Sequence, residues 1–81
     1  MISLIKKYDD KILVLQAERV LANDPSIDNS TIAVSSRNGV VTLTGNVRSQ
    51  AEHRRVLDAI ERAYKRMNLK YDRVADMIVD R

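Results

Sequence analysis

The sequence predicts a single small α+β domain in which two helices pack on one face of a three-stranded sheet. Three observations lead to this prediction. Apolar and polar residues alternate around an Asn-Gly dipeptide in mid-chain, apolar residues recur at helical spacing on either side of that stretch, and a short alternating segment closes the sequence. The predicted order is therefore α-β-β-α-β. With 81 residues, the domain 1–81 has room for one core.

The first helix is predicted over residues 3–22, which contain neither glycine nor proline. Either Ser3 or the pair Asp9-Asp10 can begin it, and Pro25 disfavours helical backbone in the residue before it. One apolar stripe at helical spacing suits the packing against the sheet: Leu13, Ala17, Val20 and Leu21. A second stripe consists of Ile5, Tyr8, Ile12 and Leu15. It is either part of a wide buried face with Tyr8 at its rim or a contact surface for another chain or a membrane.

The central stretch, Thr31 to Val47, predicts a β-hairpin. One parity is apolar and defines the buried face: Ile32, Val34, Val41, Leu43 and Val47. Asn38 and Gly39 tolerate the positive φ of a two-residue type I′ turn, and this turn sets the register of the strands. Gly45 falls on the buried parity, where a missing side chain predicts a bulge or the close approach of a packed helix.

The second helix is predicted from Ser49 to about Met67. Ser49 and Glu52 have the spacing of a capping box, in which each side chain accepts from the other residue's amide. Asn68 is the predicted left-handed residue that closes the helix. The apolar face contains Val56, Leu57, Ile60, Ala63, Tyr64 and Met67, and the opposite face carries Arg54, Arg55, Arg62, Lys65 and Arg66. That basic face can contact anionic phosphates, or it is a solvated face whose charges pair with Asp58 and Glu61.

The third strand is predicted from Arg73 to Val79, and its alternation leaves two choices for the buried side. One choice is Val74 with Ile78, and the other is the longer set of Ala75, Met77 and Val79. The longer set leaves Asp76 and Asp80 in water. We therefore expect that set to face the core.

The sequence shows no catalytic or metal site. There is no cysteine, His53 is the only histidine, and two glycines cannot build a phosphate-binding loop. Asp9 and Asp10 are adjacent and diverge around a helix, which is typical of helix N-terminal charges. His53 is predicted as a boundary residue of the apolar face, with a pH-sensitive contact as the alternative. We expect no enzyme activity, no cofactor and no small-molecule substrate.

Charge and hydropathy limit where the protein acts. No apolar run reaches the ~18–20 residues of a membrane span, and early charges interrupt any secretory signal. We therefore expect a cytoplasmic protein, at the cytoplasmic face of a membrane if it binds lipid. The net charge of +3 is concentrated between Arg48 and Arg73. Because the strands offer no aromatic stacking platform, nucleic acid is not an expected partner.

The hairpin spacing resembles that of the BON domain family, named for bacterial osmotically induced and nodulation proteins. The matching positions are Ile32, Val34, Asn38, Gly39, Val41, Leu43, Gly45 and Val47. Asp9 through Pro25 is similar to the family's first helix, and the resemblance covers about residues 9–80. Residues 1–8 then extend that helix at its N-terminus. The chain departs from the family after Met67, where the connection is longer and lacks glycine, and Asp76 stands where an asparagine is usual.

The resemblance implies a non-catalytic module that attaches to other proteins or to phospholipid surfaces. Gly39 and Gly45 are then structural, as are Asn38, Ser49 and Glu52. We expect first a protein–protein association, as an adaptor or subunit of a larger assembly or as a homo-oligomer, through Ile5, Tyr8, Ile12 and Leu15. The alternative is peripheral binding to anionic phospholipid through Arg54, Arg55, Arg62, Lys65 and Arg66.

Overall fold

The computed structural model describes residues 7–80. The elements follow the predicted order: α1 (Asp10–Ala22), β1 (Ile32–Arg37), β2 (Val40–Val47), α2 (Gln50–Arg66) and β3 (Arg73–Asp80). The sheet order is β1-β2-β3, with β1 and β2 antiparallel and β2 and β3 parallel. A parallel pair needs a crossover connection, and α2 provides it. The predicted α+β class is confirmed.

Both helices cover one side of the sheet, which we call the inner face. The core lies between the helices and the sheet. It contains Leu13, Ala17, Leu21, Ile27, Val41, Leu43, Val47, Val56, Ile60, Tyr64 and Ile78. The Tyr64 hydroxyl donates to the carbonyl oxygen of Leu13 at 2.5 Å and so joins α2 to α1. Burial raises the pKa of Tyr64 well above its usual value, which keeps the hydroxyl protonated as a donor.

The hairpin has the predicted register and turn. Val34 pairs with Leu43 and Arg37 with Val40, so only Asn38 and Gly39 form the loop. Their φ angles are 51° and 82°, the positive values that a type I′ turn requires. Because the side chains alternate, the five apolar residues of the predicted buried parity point to the inner face: Ile32, Val34, Val41, Leu43 and Val47.

The hairpin turn also anchors two other elements. The Asp10 carboxylate, at the start of α1, accepts the N–H groups of Asn38 and Gly39, both at 2.9 Å. The Gly39 carbonyl accepts the N–H of Asp72 at 2.8 Å, which fixes the approach to β3. The Tyr8 ring lies over Gly39, where a Cβ atom would come within 2.6 Å of the ring. Three parts of the chain therefore meet at this turn.

The first helix begins at Asp10, in agreement with the second of its two predicted starts. Asp9 is the N-cap, and its side chain accepts the Ile12 N–H at 3.3 Å. Residues 7–9 are not helical, so the predicted extension over residues 1–8 is wrong at Lys7 and Tyr8. Residues 1–6 lie outside the described part of the chain. The cap explains the difference, because it gives the helix a defined start after Tyr8.

Gly45 permits a close approach, but the neighbouring backbone belongs to neither of the two packed α-helices. Its φ is 132°, and a Cβ atom there would collide with the carbonyl oxygen of Thr31. Thr31 ends a short 3-10 helix, Asn29–Thr31, that leads into β1. The predicted tight contact is therefore found between backbone segments at the start of the hairpin.

The second helix has the predicted ends. The Ser49 side chain accepts the Glu52 N–H at 3.1 Å. Beyond the helix, Asn68 has a φ of 55°, and the Leu69 N–H donates to the Tyr64 carbonyl at 2.9 Å. This six-residue closure is typical of a Schellman motif.

The third strand faces the other way from the prediction. Ile78 is buried and Val74 is half-buried on the inner face, whereas Met77 and Val79 are 63% and 58% exposed. The expectation that the longer apolar set faces the core was wrong. It assumed that two aspartates of the other parity need water, but both have a partner on α2.

Candidate functional site

The apolar stripe predicted on the first helix does not form a continuous surface in the described residues. Ile5 lies outside them, and Tyr8 precedes α1 and covers the hairpin turn. Ile12 is half-buried, and only Leu15 is largely exposed, at 47%. Leu15 lines a shallow groove between α1 and β1 together with Ile32, so this part of the stripe adjoins a strand edge.

The basic residues predicted on the second helix lie on its solvent side. All five are exposed: Arg54, Arg55, Arg62, Lys65 and Arg66. Arg54, Arg55 and Arg62 line a depression with a volume of about 690 Å³. The other two lie further along the helix and do not line it.

Two carboxylates reduce the positive charge of this depression. Arg55 Nε donates to Asp24 Oδ2 at 2.8 Å, so this arginine pairs with the connector after α1. The backbone N–H of Ser26 and the Arg55 side chain lower the pKa of Asp24. The expected pairing of Asp58 with Arg54 or Arg62 does not occur among the ion pairs of residues 7–80.

Glu52 is the second carboxylate, and it is only 6% exposed. Its oxygens accept the N–H groups of Arg48 and Asp28 at 2.9 and 3.0 Å, and Arg48 Nη2 lies 3.2 Å away. The Arg48 side chain contributes most to lowering the pKa of Glu52 to about 2, and the two backbone N–H groups add to this. The predicted return bond to the Ser49 amide is thus replaced by a bond to the Arg48 amide. Glu52 also ties α2 to the segment before β1.

His53 is half-buried at the edge of the apolar face of α2, as predicted, but its two partners were not predicted. Its Nε2 lies 2.7 Å from Asp76 Oδ2, and its Nδ1 is hydrogen-bonded to Asp80 Oδ1. Burial works against the imidazolium charge, but the bonds to the two carboxylates outweigh it and raise the pKa of His53. The partners lie 23 and 27 residues away. One local feature of the sequence could have indicated this contact: both aspartates lie on the same side of β3 as Ile78.

The other side of the sheet, which we call the outer face, has no covering element among the described residues. Its side chains are Ala33, Ser35 and Arg37 on β1, Val40, Thr42, Thr44 and Asn46 on β2, and Arg73, Ala75, Met77 and Val79 on β3. Arg37, Val40 and Arg73 form one row across the hairpin end. None of these outward side chains is acidic, and the exposed apolar area lies on β3.

Neither a metal centre nor a membrane span is found in the part of the chain that the structure describes. No group of three His, Cys, Asp or Glu side chains there is placed to hold a metal ion. No helix within residues 7–80 combines the length and the apolar character that crossing a bilayer requires. The polar side chains of α2 described above, Glu52, His53 and Arg55, hydrogen-bond to other side chains and to the backbone.

Comparison with protein families gives one match. A family model for the BON domain matches residues 9–65, from the N-cap of α1 to the last turn of α2. A search of curated proteins gives no match.

Proposed function

The chain belongs to the BON domain family, whose members are binding modules, and we propose that it is a non-catalytic adaptor that binds a protein partner through the outer face. The observation that carries the proposal is the exposure of Met77 and Val79 on β3. The parallel pair β2 and β3 is covered on the inner face alone, so both apolar side chains remain available to a partner.

The dimensions of the outer face suit one helix of a partner. Three strands of up to eight residues span roughly 14 by 26 Å, or about 370 Å². A standard interface takes about 800 Å² from each partner, so the outer face by itself makes a small interface. A single helix, about 10 Å wide, would cover most of its roughly 14 Å width.

Charge specifies the partner further. Arg37 and Arg73 lie at the hairpin end of the outer face, and no outward side chain there is acidic. Two copies would bring no carboxylate to these arginines. The occupant is therefore an amphipathic helix with an apolar stripe for Met77 and Val79 and carboxylates near the two arginines.

The test compares the outer face with the groove beside α1. A photo-cross-linking residue is placed at Met77, Thr44 or Leu15 in cells, and the protein that Met77 and Thr44 capture is then purified. We expect Met77→Asp and Val79→Asp to weaken its binding to the chain by about tenfold or more. Leu15→Asp is the matched control and should leave the affinity unchanged.

Other results would overturn the assignment. If Leu15→Asp weakens binding and Met77→Asp does not, the partner occupies the α1 surface that the sequence predicted. Sedimentation velocity of the pure chain should show a monomer. A dimer that Met77→Asp dissociates would instead assign the outer face to a second copy.

Peripheral binding to anionic phospholipid is the second candidate function. It is supported by four exposed cations on one side of α2 that are in no ion pair within residues 7–80: Arg54, Arg62, Lys65 and Arg66. Each cation near an anionic surface contributes about 1 kcal/mol, so binding should be weak and salt-dependent. Arg55 contributes less because it pairs with Asp24.

Vesicle flotation tests this candidate. We expect the chain to float with phosphatidylserine vesicles at low salt and not with phosphatidylcholine vesicles. The double variant Arg54→Glu, Arg62→Glu should abolish flotation, whereas Arg19→Glu with Arg37→Glu, which has the same net charge, should not. Equal loss in both double variants would mean that only net charge matters and would reject a site on α2.

A further inference from the structure

His53 links α2 to β3 through both nitrogens of its ring. Nε2 meets Asp76 Oδ2 at 2.7 Å, and Nδ1 meets Asp80 Oδ1. The histidine side chain is 19% exposed, and the two aspartate side chains are 30% and 35% exposed. The contact is therefore shielded in part but still open to protons from solvent.

The geometry requires a charged ring. An imidazolium has two N–H donors, whereas a neutral imidazole has one donor and one acceptor. Facing two carboxylates, a neutral ring can bond to one of them and turns a lone pair towards the other. The two contacts cannot both persist after the ring loses its proton.

We propose that His53 is a proton-operated clamp that holds the C-terminal end of β3 on α2 and releases Asp80 when the ring is deprotonated. Asp76 is the carboxylate that stays in place, because its Oδ1 also accepts the Ile78 N–H at 3.1 Å. Asp80 is the last residue of β3. Its release lets the end of the strand separate from the helix.

The direction of the pH dependence follows from the groups around the ring. The charges and hydrogen bonds that act on His53 within residues 7–80 come from Asp76 and Asp80 of β3, and burial opposes them. The net result raises the pKa of His53. The clamp therefore contributes its full stability below the usual histidine pKa of about 6.5 and loses it as the pH rises through the raised pKa of the folded protein.

The clamp acts on the strand that exposes Met77 and Val79. Basic pH is thus expected to loosen β3 while the hairpin of β1 and β2 stays ordered. This inference does not depend on what binds the outer face, because the order of β3 can be measured in the free chain.

The first test is an NMR titration, and the chain suits it because His53 is its only histidine. We expect the imidazole of the wild type to titrate above about pH 6.5. Both Asp76→Asn and Asp80→Asn should lower that midpoint. A wild-type midpoint at or below the usual value would overturn the proposal.

The second test follows amide hydrogen exchange from about pH 5 to about pH 9, after correction for intrinsic base catalysis. In the wild type, amides of β3 should exchange several-fold faster above the His53 midpoint, with those of β1 and β2 as the internal reference. His53→Gln should show the fast exchange of β3 at every pH.

Asp80→Asn is the decisive variant. It replaces the second carboxylate by an amide donor, so a neutral His53 can donate to Asp76 and accept from the new side chain. Slow exchange of β3 should then persist at basic pH. If Asp80→Asn loosens β3 at basic pH as the wild type does, or if His53→Gln keeps the wild-type pH dependence, the clamp is wrong.

Discussion

The inner and outer faces of the sheet share three strands but differ in what covers them. On the inner face, Val41 and Leu43 are fully buried beneath the two helices. On the outer face, the side chains are short or charged except at β3, where Met77 and Val79 reach into solvent. Burial of apolar area stabilises the fold, so the inner face determines stability. The outer face can change with little cost to folding, which makes it the natural place for a binding surface.

The difference between the two faces is tested most directly with two neighbouring residues of β3 that point to opposite faces. Ile78→Ala should lower the free energy of unfolding by about 2–4 kcal/mol, because it leaves a cavity in the core. Val79→Ala should change it by less than about 0.5 kcal/mol, because that side chain is already in solvent. Urea unfolding measures both, and equal effects would show that β3 does not have the orientation described.

A smaller loss of stability is expected from a change at the buried carboxylate of α2. Glu52→Gln should lower the free energy of unfolding by about 1–3 kcal/mol, because two backbone N–H groups and two side-chain nitrogens of Arg48 donate to the buried carboxylate. Glu61→Gln, on the exposed side of α2, is the control and should have little effect.

The same carboxylate gives a pH dependence of known sign. The pKa of Glu52 is lowered to about 2 in the folded protein, from about 4.3 in an unfolded chain. Its contribution is complete above the unfolded value and is lost as the pH falls towards the folded value. Wild-type stability should fall in this acid range more steeply than that of Glu52→Gln. Parallel curves would contradict the buried ionised carboxylate.

The smallest expected change in stability comes from a comparison of two tyrosines that pack against each other. Tyr64→Phe removes the hydrogen bond to the Leu13 carbonyl and should cost about 1 kcal/mol in urea unfolding. Tyr71 packs against Tyr64, with ring centroids 5.0 Å apart, but is only half-buried. Tyr71→Phe should therefore lower the free energy of unfolding by less. A larger loss for Tyr71→Phe than for Tyr64→Phe would contradict the hydrogen bond described for Tyr64.

The features that the sequence predicted well depend on local chemistry. The hairpin follows from alternation and from a turn dipeptide, and both ends of α2 follow from residues within one turn of them. The errors occurred where a residue's partner is distant in the chain. Met77 and Val79 face outward, Ile78 lies in the core and two aspartates of β3 contact His53, and periodicity within β3 carries no sign of that contact.

The candidate site was harder to predict than the fold for the same reason. Tyr8 is not part of the expected stripe, because its ring packs on Gly39. Arg55 is exposed on the basic face, but its charge is paired with that of Asp24. Glu52 was expected to accept the Ser49 N–H, but it accepts the N–H groups of Arg48 and of Asp28, which precedes β1. Helical spacing identifies which side chains share a face, but not which distant group they meet.

The hairpin turn has a practical consequence for protein engineering. Exposed loop tips are usually the places where inserted peptides are tolerated. This one receives the Asp10 carboxylate on one side and holds the Asp72 amide on the other. An epitope or fluorophore sequence inserted between Asn38 and Gly39 would detach the beginnings of both α1 and β3, so this two-residue loop is a poor site for insertion.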